Sequence, residues 1–213
     1  MARRRKWTFL VPILLAAGLA SCPRRVEVAP PRHVLLVVID TQRADHLSCY
    51  GYARPTSPTI DALAKEAVLF EHCISQASWT LPSMVSMMTS SYVAEEALRI
   101  PDAKTTLAEA FHEHGFATGA FICNDLLSPE NRFERGFDTF EWKLVPYGSN
   151  QPILDWIRAH KDGPTFTFVH LNEVHDDAKP PAGANYGPEP VAATEASVER
   201  TIAASSRTPP GRS

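Results

Sequence analysis

The stretch His33-Val-Leu-Leu-Val-Val-Ile-Asp40 decides the fold class. Its continuous run of apolar, mostly β-branched residues is typical of a strand that is buried on both faces of a parallel sheet. Asp40 stands at the carboxyl end of this predicted strand. Because open α/β sheets bind their ligands outside the carboxyl ends of their strands, Asp40 is the first candidate functional residue.

Helical and strand patterns alternate along the rest of the chain. Ser57 and Pro58 mark one helix start, and Gly115 is suited to end another helix. The patterns predict helices over residues 57–70, from about residue 82, over 105–114 and over 151–160, and strands over 116–123 and Thr165–Leu171. This rhythm predicts an α/β fold with a doubly wound, mostly parallel sheet.

Composition excludes two classes of protein. The 213 residues carry 21 Lys and Arg against 24 Asp and Glu, a net charge of -3, so we expect no nucleic-acid partner. Four cysteines are too few for a disulfide-dense mini-protein. We expect Cys49, Cys73 and Cys123 to be small buried side chains, of which two could form a disulfide.

The first residues have the layout of an export signal. A basic start at residues 3–6 precedes an apolar run that is too short to cross a bilayer as a helix. Leu19-Ala-Ser-Cys22 resembles the lipobox of bacterial lipoproteins, which are lipidated on the cysteine. We therefore predict a signal peptide over 1–22, a lipid on Cys22, a tether over 23–32, and an exported protein anchored to the membrane of the bacterial cell envelope. An ordinary signal peptide and an uncleaved signal anchor are the alternatives.

Three side chains carry candidate chemistry. Asp40 ends a strand, Thr80 stands where a helix starts, and His175 follows the last predicted strand. A helix start favours an anionic ligand, and a carboxylate, a hydroxyl and an imidazole suit a metal-assisted ester hydrolase. Residues of these types also cap helices or face solvent, so the pattern alone leaves both interpretations open.

A family resemblance favours the hydrolase. Residues 33–52, Thr56-Ser-Pro-Thr-Ile-Asp-Ala-Leu-Ala64, Ser78-Trp-Thr-Leu-Pro-Ser83, Phe133-Glu-Arg-Gly-Phe-Asp-Thr-Phe140 and Val169-His-Leu-Asn-Glu-Val-His-Asp176 are similar to sulfatase-like proteins of the alkaline phosphatase superfamily. The resemblance implies an alkaline-phosphatase-like fold over 33–190 and a sulfate or phosphate ester substrate. It also implies a divalent metal ion (calcium, magnesium, manganese or zinc) on Asp40 and Thr80, Thr80 as nucleophile, and His175 on the substrate or leaving-group side.

The sequence also departs from the family pattern. Thr41 stands where sulfatases have a second acid, and Thr80 cannot be converted to formylglycine. Met84 replaces a cationic residue, and no later Asp-His-Gly or Asp-Asn-Gly segment supplies further metal ligands. We expect a domain truncated on its C-terminal side, followed by a short helix and polar tail over 191–213. Two hypotheses remain, a truncated ester hydrolase and a non-catalytic exported lipoprotein that uses the front half of the fold for binding or structure.

Overall fold

Four parallel strands form the sheet in the computed structural model, which describes residues 32–92, 98–144 and 149–175. The strands are β1 (His33–Ile39), β2 (Ala117–Ile122), β3 (Thr139–Trp142) and β4 (Thr165–Leu171), and their order in the sheet is β1-β4-β2-β3. Ile39 pairs with Leu171, and Ile122 pairs with His170. The carboxyl ends of β1, β2 and β4 therefore meet at one edge of the sheet.

Helices cover both faces of this sheet. They are α1 (Pro58–Ala64), α2 (Thr80–Thr89), α3 (Leu107–Glu113) and α4 (Gln151–Ala159), with 3₁₀ turns at Ala44–His46, Ser48–Tyr50 and Pro129–Asn131. One core cluster joins Phe166 and Phe168 of β4 to α2 and α3, and a second joins Val169 and Leu171 to Trp156 of α4. Alternate β4 side chains thus enter opposite cores, as expected for a strand buried on both faces. The predicted doubly wound α/β fold is confirmed.

The buried central strand is β4 rather than β1, contrary to the prediction. Every residue of β4 is buried, whereas the residues of β1 before Asp40 are half-buried or exposed, and Leu35 is 46% exposed. The strand order explains the difference, because β1 lies at the edge of the described sheet and pairs only with β4 there. An apolar run predicts a strand but does not give its place in the sheet.

The other boundaries differ from the sequence patterns in specific ways. The helix predicted over 57–70 ends at Ala64, and Val68 and Phe70 beyond it are exposed, so their apolar character marks no core contact. The helix predicted from about residue 82 begins at Thr80. Strand β3 was not predicted, because it is only four residues long and its side chains are mostly half-buried.

The cysteine prediction is corrected as well. In the described part of the chain, Cys49, Cys73 and Cys123 form no disulfide bond with one another. Cys73 is exposed, and the other two are half-buried. Burial of all three was therefore wrong, since Cys73 lies in an irregular segment between α1 and α2 and not in a core.

A network of polar contacts fastens the chain before β3 to helix α3. Thr106 accepts a hydrogen bond from the Glu109 N–H at 3.0 Å, and Glu109 Oε2 accepts one from the Thr106 N–H at 2.8 Å, which makes a capping box. Arg135 donates to both carboxylate oxygens of Glu109. Gly136 follows with a φ of 85°, and a Cβ there would lie 2.1 Å from the Glu109 nitrogen. Only glycine fits this contact.

Several predictions concern parts of the chain that the structure does not describe. The signal peptide over 1–22, its lipidation site Cys22, nearly all of the tether over 23–32 and the tail over 191–213 lie outside the described residues. Within the described ranges, no helix has both the length and the apolar character that crossing a bilayer requires.

Candidate functional site

The candidate site lies at the carboxyl edge of the sheet. Asp40 follows β1, Asn124 follows β2, and His170 is the penultimate residue of β4. Helix α2 begins at the same place with Thr80. Three strands and one helix therefore bring together four polar side chains that are far apart in the sequence, in the position where open α/β sheets bind ligands.

The Thr80 hydroxyl faces the Asp40 carboxylate. Thr80 Oγ1 donates to this carboxylate, at 3.3 Å from Oδ1 and 3.2 Å from Oδ2. Asp40 is buried, so its negative charge is directed at a few fixed partners. A carboxylate at this distance orients the hydroxyl and can accept its proton. A hydroxyl group needs both an orienting partner and a proton acceptor in order to act as a nucleophile.

Asn124 and His170 complete the surroundings of Asp40, and sequence reasoning missed both. Asn124 Nδ2 donates to Asp40 Oδ2 at 2.9 Å. His170 Nε2 lies 3.7 Å from the same oxygen, and neither ring nitrogen of this fully buried side chain has a hydrogen-bond partner. The available signals were a polar residue just past the end of one strand and a histidine within another.

His170 is a neutral imidazole at neutral pH. Burial lowers the pKa of His170 to about 4, and the nearby Asp40 carboxylate offsets only part of this effect. Asp40 therefore has a buried, uncharged ring beside it rather than a cation. Its negative charge remains available to the Thr80 hydroxyl.

The backbone at the site has two distinctive features, a left-handed residue and a helix end. Thr41 has a φ of 57°, a left-handed conformation that is unusual for a β-branched residue and is found mainly where surrounding structure enforces it. Helix α2 has Trp79 as its N-cap, with no side-chain hydrogen bond to the helix end. The positive end of the α2 dipole thus lies at Thr80, where it favours a negatively charged group.

A cavity of about 530 Å³ opens in front of these residues. Asp40, Thr80, His170 and His175 all line it. The structure therefore brings the three residues predicted from the sequence, Asp40, Thr80 and His175, to one cavity. Met84 also lines the cavity, and among its described lining residues none is Lys or Arg.

Cys123 directly follows β2 but is not among the described residues that line the cavity. Burial, together with the negative charge of Glu173, raises the pKa of the Cys123 thiol to about 12. The thiol is therefore protonated at physiological pH and unreactive. Among the described residues of the cavity, Thr80 carries the hydroxyl that faces Asp40.

The described residues do not complete a site for a divalent cation. Hard cations bind about six or more oxygen ligands. Asp40 is the one carboxylate among the described residues that line the cavity, and its oxygens already accept hydrogen bonds from Thr80 and Asn124. In the described part of the chain, no group of three or more His, Cys, Asp or Glu side chains could hold a metal ion. The metal implied by the resemblance stays a prediction.

Comparison with known proteins assigns the chain to a family. The family model described as Sulfatase matches residues 32–145, more than half of the 213 residues. The chain belongs to the sulfatase family. The matched region includes Asp40, Thr80 and Asn124, whereas His170 and His175 follow it.

Two curated relatives show the range of this family. The chain is 27% identical over 158 residues to the putative transferase YhbX of Escherichia coli (strain K12), covering 68% of this chain and 27% of YhbX. It is 29% identical over 152 residues to human iduronate 2-sulfatase, covering 66% of this chain and 27% of that enzyme. The chain therefore spans about a quarter of the length of these relatives.

Two solved structures share the fold of this chain. A protein in the alkaline phosphatase superfamily from Vibrio parahaemolyticus has a TM-score of 0.69 at 15% identity, covering 84% of this chain and 51% of that one. The C-terminal periplasmic domain of EcEptC from Escherichia coli, solved as a complex with zinc, has a TM-score of 0.59 at 16% identity, covering 83% and 58%. The alkaline-phosphatase-like α/β fold is thereby confirmed.

Proposed function

We propose that this chain binds a sulfate or phosphate ester at the carboxyl edge of its sheet and cleaves it with Thr80 as nucleophile. The observation that carries the proposal is the contact of Thr80 Oγ1 with both oxygens of the buried Asp40 carboxylate. Membership of the sulfatase family supports this chemistry over other uses of a hydroxyl. The positive end of helix α2 at Thr80 favours the anionic ester group.

The proposed reaction forms and breaks one bond in each of two steps. Thr80 Oγ attacks the sulfur or phosphorus while its proton passes to Asp40, and the bond from that atom to the alcohol oxygen breaks. His175, on the wall of the same cavity, is proposed to protonate the departing alcohol oxygen. Water then attacks the sulfo- or phosphothreonine and gives its proton to His175, while Asp40 returns its proton to the departing Thr80 Oγ; attack by a second alcohol in place of water would transfer the group instead.

Hydrolysis of 4-nitrophenyl sulfate and 4-nitrophenyl phosphate tests the proposal. Thr80→Ala should abolish the release of 4-nitrophenol from whichever ester the chain cleaves. Thr89→Ala is the matched control, because Thr89 lies in the same helix and its hydroxyl donates to the backbone oxygen of Val85. Unchanged release by Thr80→Ala, or no release by the unmodified chain, would contradict the proposal.

A non-catalytic binding role is the second candidate, and one observation favours it. The described residues that line the cavity include no Lys or Arg and a single carboxylate, so little positive charge is present to stabilise a transferring sulfo or phospho group. On this alternative the chain binds 4-nitrophenyl sulfate and releases no 4-nitrophenol. Calorimetry alongside the hydrolysis assay separates the two candidates.

We further propose that the protein is exported and held at a membrane by a lipid on Cys22. Three features support this, namely the basic start, the short apolar run and the Leu19-Ala-Ser-Cys22 sequence. The similarity of the fold to a periplasmic domain agrees with export. A lipid anchor would place the candidate site in the cell envelope.

A further inference from the structure

A second groove adjoins the candidate site. It has a volume of about 600 Å³ and runs along helix α2 on the side of residues 73–76 and 90–92. Ser75, Ser83 and Met87 line both this groove and the cavity of Asp40 and Thr80. A ligand whose reacting group lies at Thr80 can therefore extend into the adjoining groove.

The described residues that line the groove carry no charge. Its described lining consists of Cys73, Ile74, Ser75, Gln76, Ser83, Ser86, Met87, Ser90, Ser91 and Tyr92, and none of these is Asp, Glu, Lys, Arg or His. A charged or strongly polar group that entered the groove would lose hydration without gaining an ionic partner.

Most of the polar side chains of the groove are already bonded to the protein. Ser75 Oγ donates to the Ala77 carbonyl, and Ser86 Oγ donates to the Ser91 carbonyl. Ser91 Oγ donates in turn to the Thr89 carbonyl. Because these donors are occupied, the three serines can offer a ligand only acceptor lone pairs, and they act mainly as small neutral surface.

Large apolar side chains stand exposed around this groove. Ile74 is 83% exposed, Tyr92 is 91% exposed and Met87 is 41% exposed. Apolar side chains grouped beside a cavity mark ligand-binding surfaces more often than do scattered ones. Methionine also adapts its shape to different apolar ligands.

We propose that this groove binds the uncharged, apolar part of the alcohol whose sulfate or phosphate ester lies at Thr80. The inference rests on the proposed function and adds the class of substrate, an ester of an apolar alcohol. A substrate with a charged alcohol part is disfavoured, because no described residue of the groove would pair with it.

Calorimetric binding of methyl sulfate and octyl sulfate to the full chain tests the groove. The two ligands share a headgroup and differ only in the apolar part. Each methylene buried in the groove should tighten binding roughly fourfold, so burial of even two of the extra carbons of octyl sulfate should make it bind more than about tenfold tighter. Equal affinities for the two sulfates would overturn the proposal.

Matched variants test whether the preference for octyl sulfate arises in this groove. Ile74→Gln replaces an exposed apolar side chain of the groove with a neutral polar one and should reduce the preference for octyl sulfate by about threefold. Val68→Gln is the control, because Val68 is 79% exposed and lines neither cavity. A preference that survives Ile74→Gln, or that falls equally in Val68→Gln, would place the octyl chain elsewhere and overturn the proposal.

The same measurements separate failure of the groove from failure of the proposed function. The preference for octyl sulfate should persist in Thr80→Ala, in which the proposed nucleophile is absent. Preference without hydrolysis would keep the groove and reject the nucleophile. Hydrolysis without preference would keep the nucleophile and reject the groove.

Discussion

His170 Nε2 lies 3.7 Å from Asp40 Oδ2, too far for a hydrogen bond, although the His170 side chain is completely buried. A protonated imidazole in that position would be a buried cation, which is unfavourable away from water. Burial therefore lowers the pKa of His170 to about 4. The Asp40 carboxylate thus lies beside an imidazole that binds a proton less readily in the folded protein than in the unfolded chain. This difference makes the free energy of unfolding depend on pH.

Acidification should destabilise the protein through His170. The unfolded chain binds a proton to this imidazole below its ordinary pKa of 6.5, whereas the folded protein does so only near pH 4. The free energy of unfolding should therefore fall by roughly 3 kcal/mol as the pH drops from 6.5 to 4, and His170 should contribute no pH dependence above that window.

Urea unfolding at a series of pH values measures this effect. His170→Gln should flatten the curve between pH 6.5 and 4, and His114→Gln, at an exposed histidine, is the matched control. NMR titration of the His170 ring in the unmodified chain provides an independent reading. A ring that titrates near pH 6.5 would refute the assignment.

Asp40→Asn should weaken both the fold and the site. The change replaces one carboxylate oxygen with an NH2 group, so that a single oxygen is left to accept from both Asn124 and Thr80, and it removes the base for the Thr80 proton. We expect a loss of roughly 1–3 kcal/mol in the free energy of unfolding, together with loss of ester cleavage. Asp45→Asn, on an exposed carboxylate paired with Arg43, is the control and should change neither. Full ester cleavage by Asp40→Asn would rule out Asp40 as the group that orients Thr80.

Gly136→Ala should destabilise the protein more than Gly51→Ala. Both glycines have positive φ, but a Cβ at Gly136 meets the Glu109 backbone at 2.1 Å, whereas a Cβ at Gly51 meets nothing within 4 Å. Gly51→Ala should cost about 1–2 kcal/mol for backbone strain. Gly136→Ala should cost about 1–3 kcal/mol more. Equal midpoints of thermal unfolding would show that this close contact is absent.

Cys22→Ser should release the protein from the membrane. Fractionation of bacterial cells that express each form should find the unmodified chain with the membranes and the variant in the soluble exported fraction. Ser21→Ala, beside the lipidation site, is the matched control and should stay with the membranes. Retention of Cys22→Ser at the membrane would indicate a signal anchor instead.

The sequence predicted the class of the fold because its patterns are local. Thr165–Leu171 and the helix near residue 107 were found from apolar runs and capping residues, which need no knowledge of neighbours. The edge position of β1 was not predictable, because it depends on which strands pair. The short β3 carries too few residues for a periodic signal.

Some residues of the candidate site could likewise be predicted from the sequence, and others could not. Asp40, Thr80 and His175 were predicted from their places after strands or at a helix start and from the family resemblance, and they line one cavity. Asn124 and His170 were missed, because their importance comes from distances to Asp40 that only the assembled sheet creates.

Detection of a covalent group on Thr80 tests the central claim most directly. The unmodified chain is incubated with 4-nitrophenyl phosphate or 4-nitrophenyl sulfate, quenched in acid and mapped by peptide mass spectrometry. We predict a phospho or sulfo group on Thr80, present also in Thr89→Ala and absent from Thr80→Ala. Release of 4-nitrophenol with the group on another residue, or no group on Thr80 with either ester, would contradict the claim.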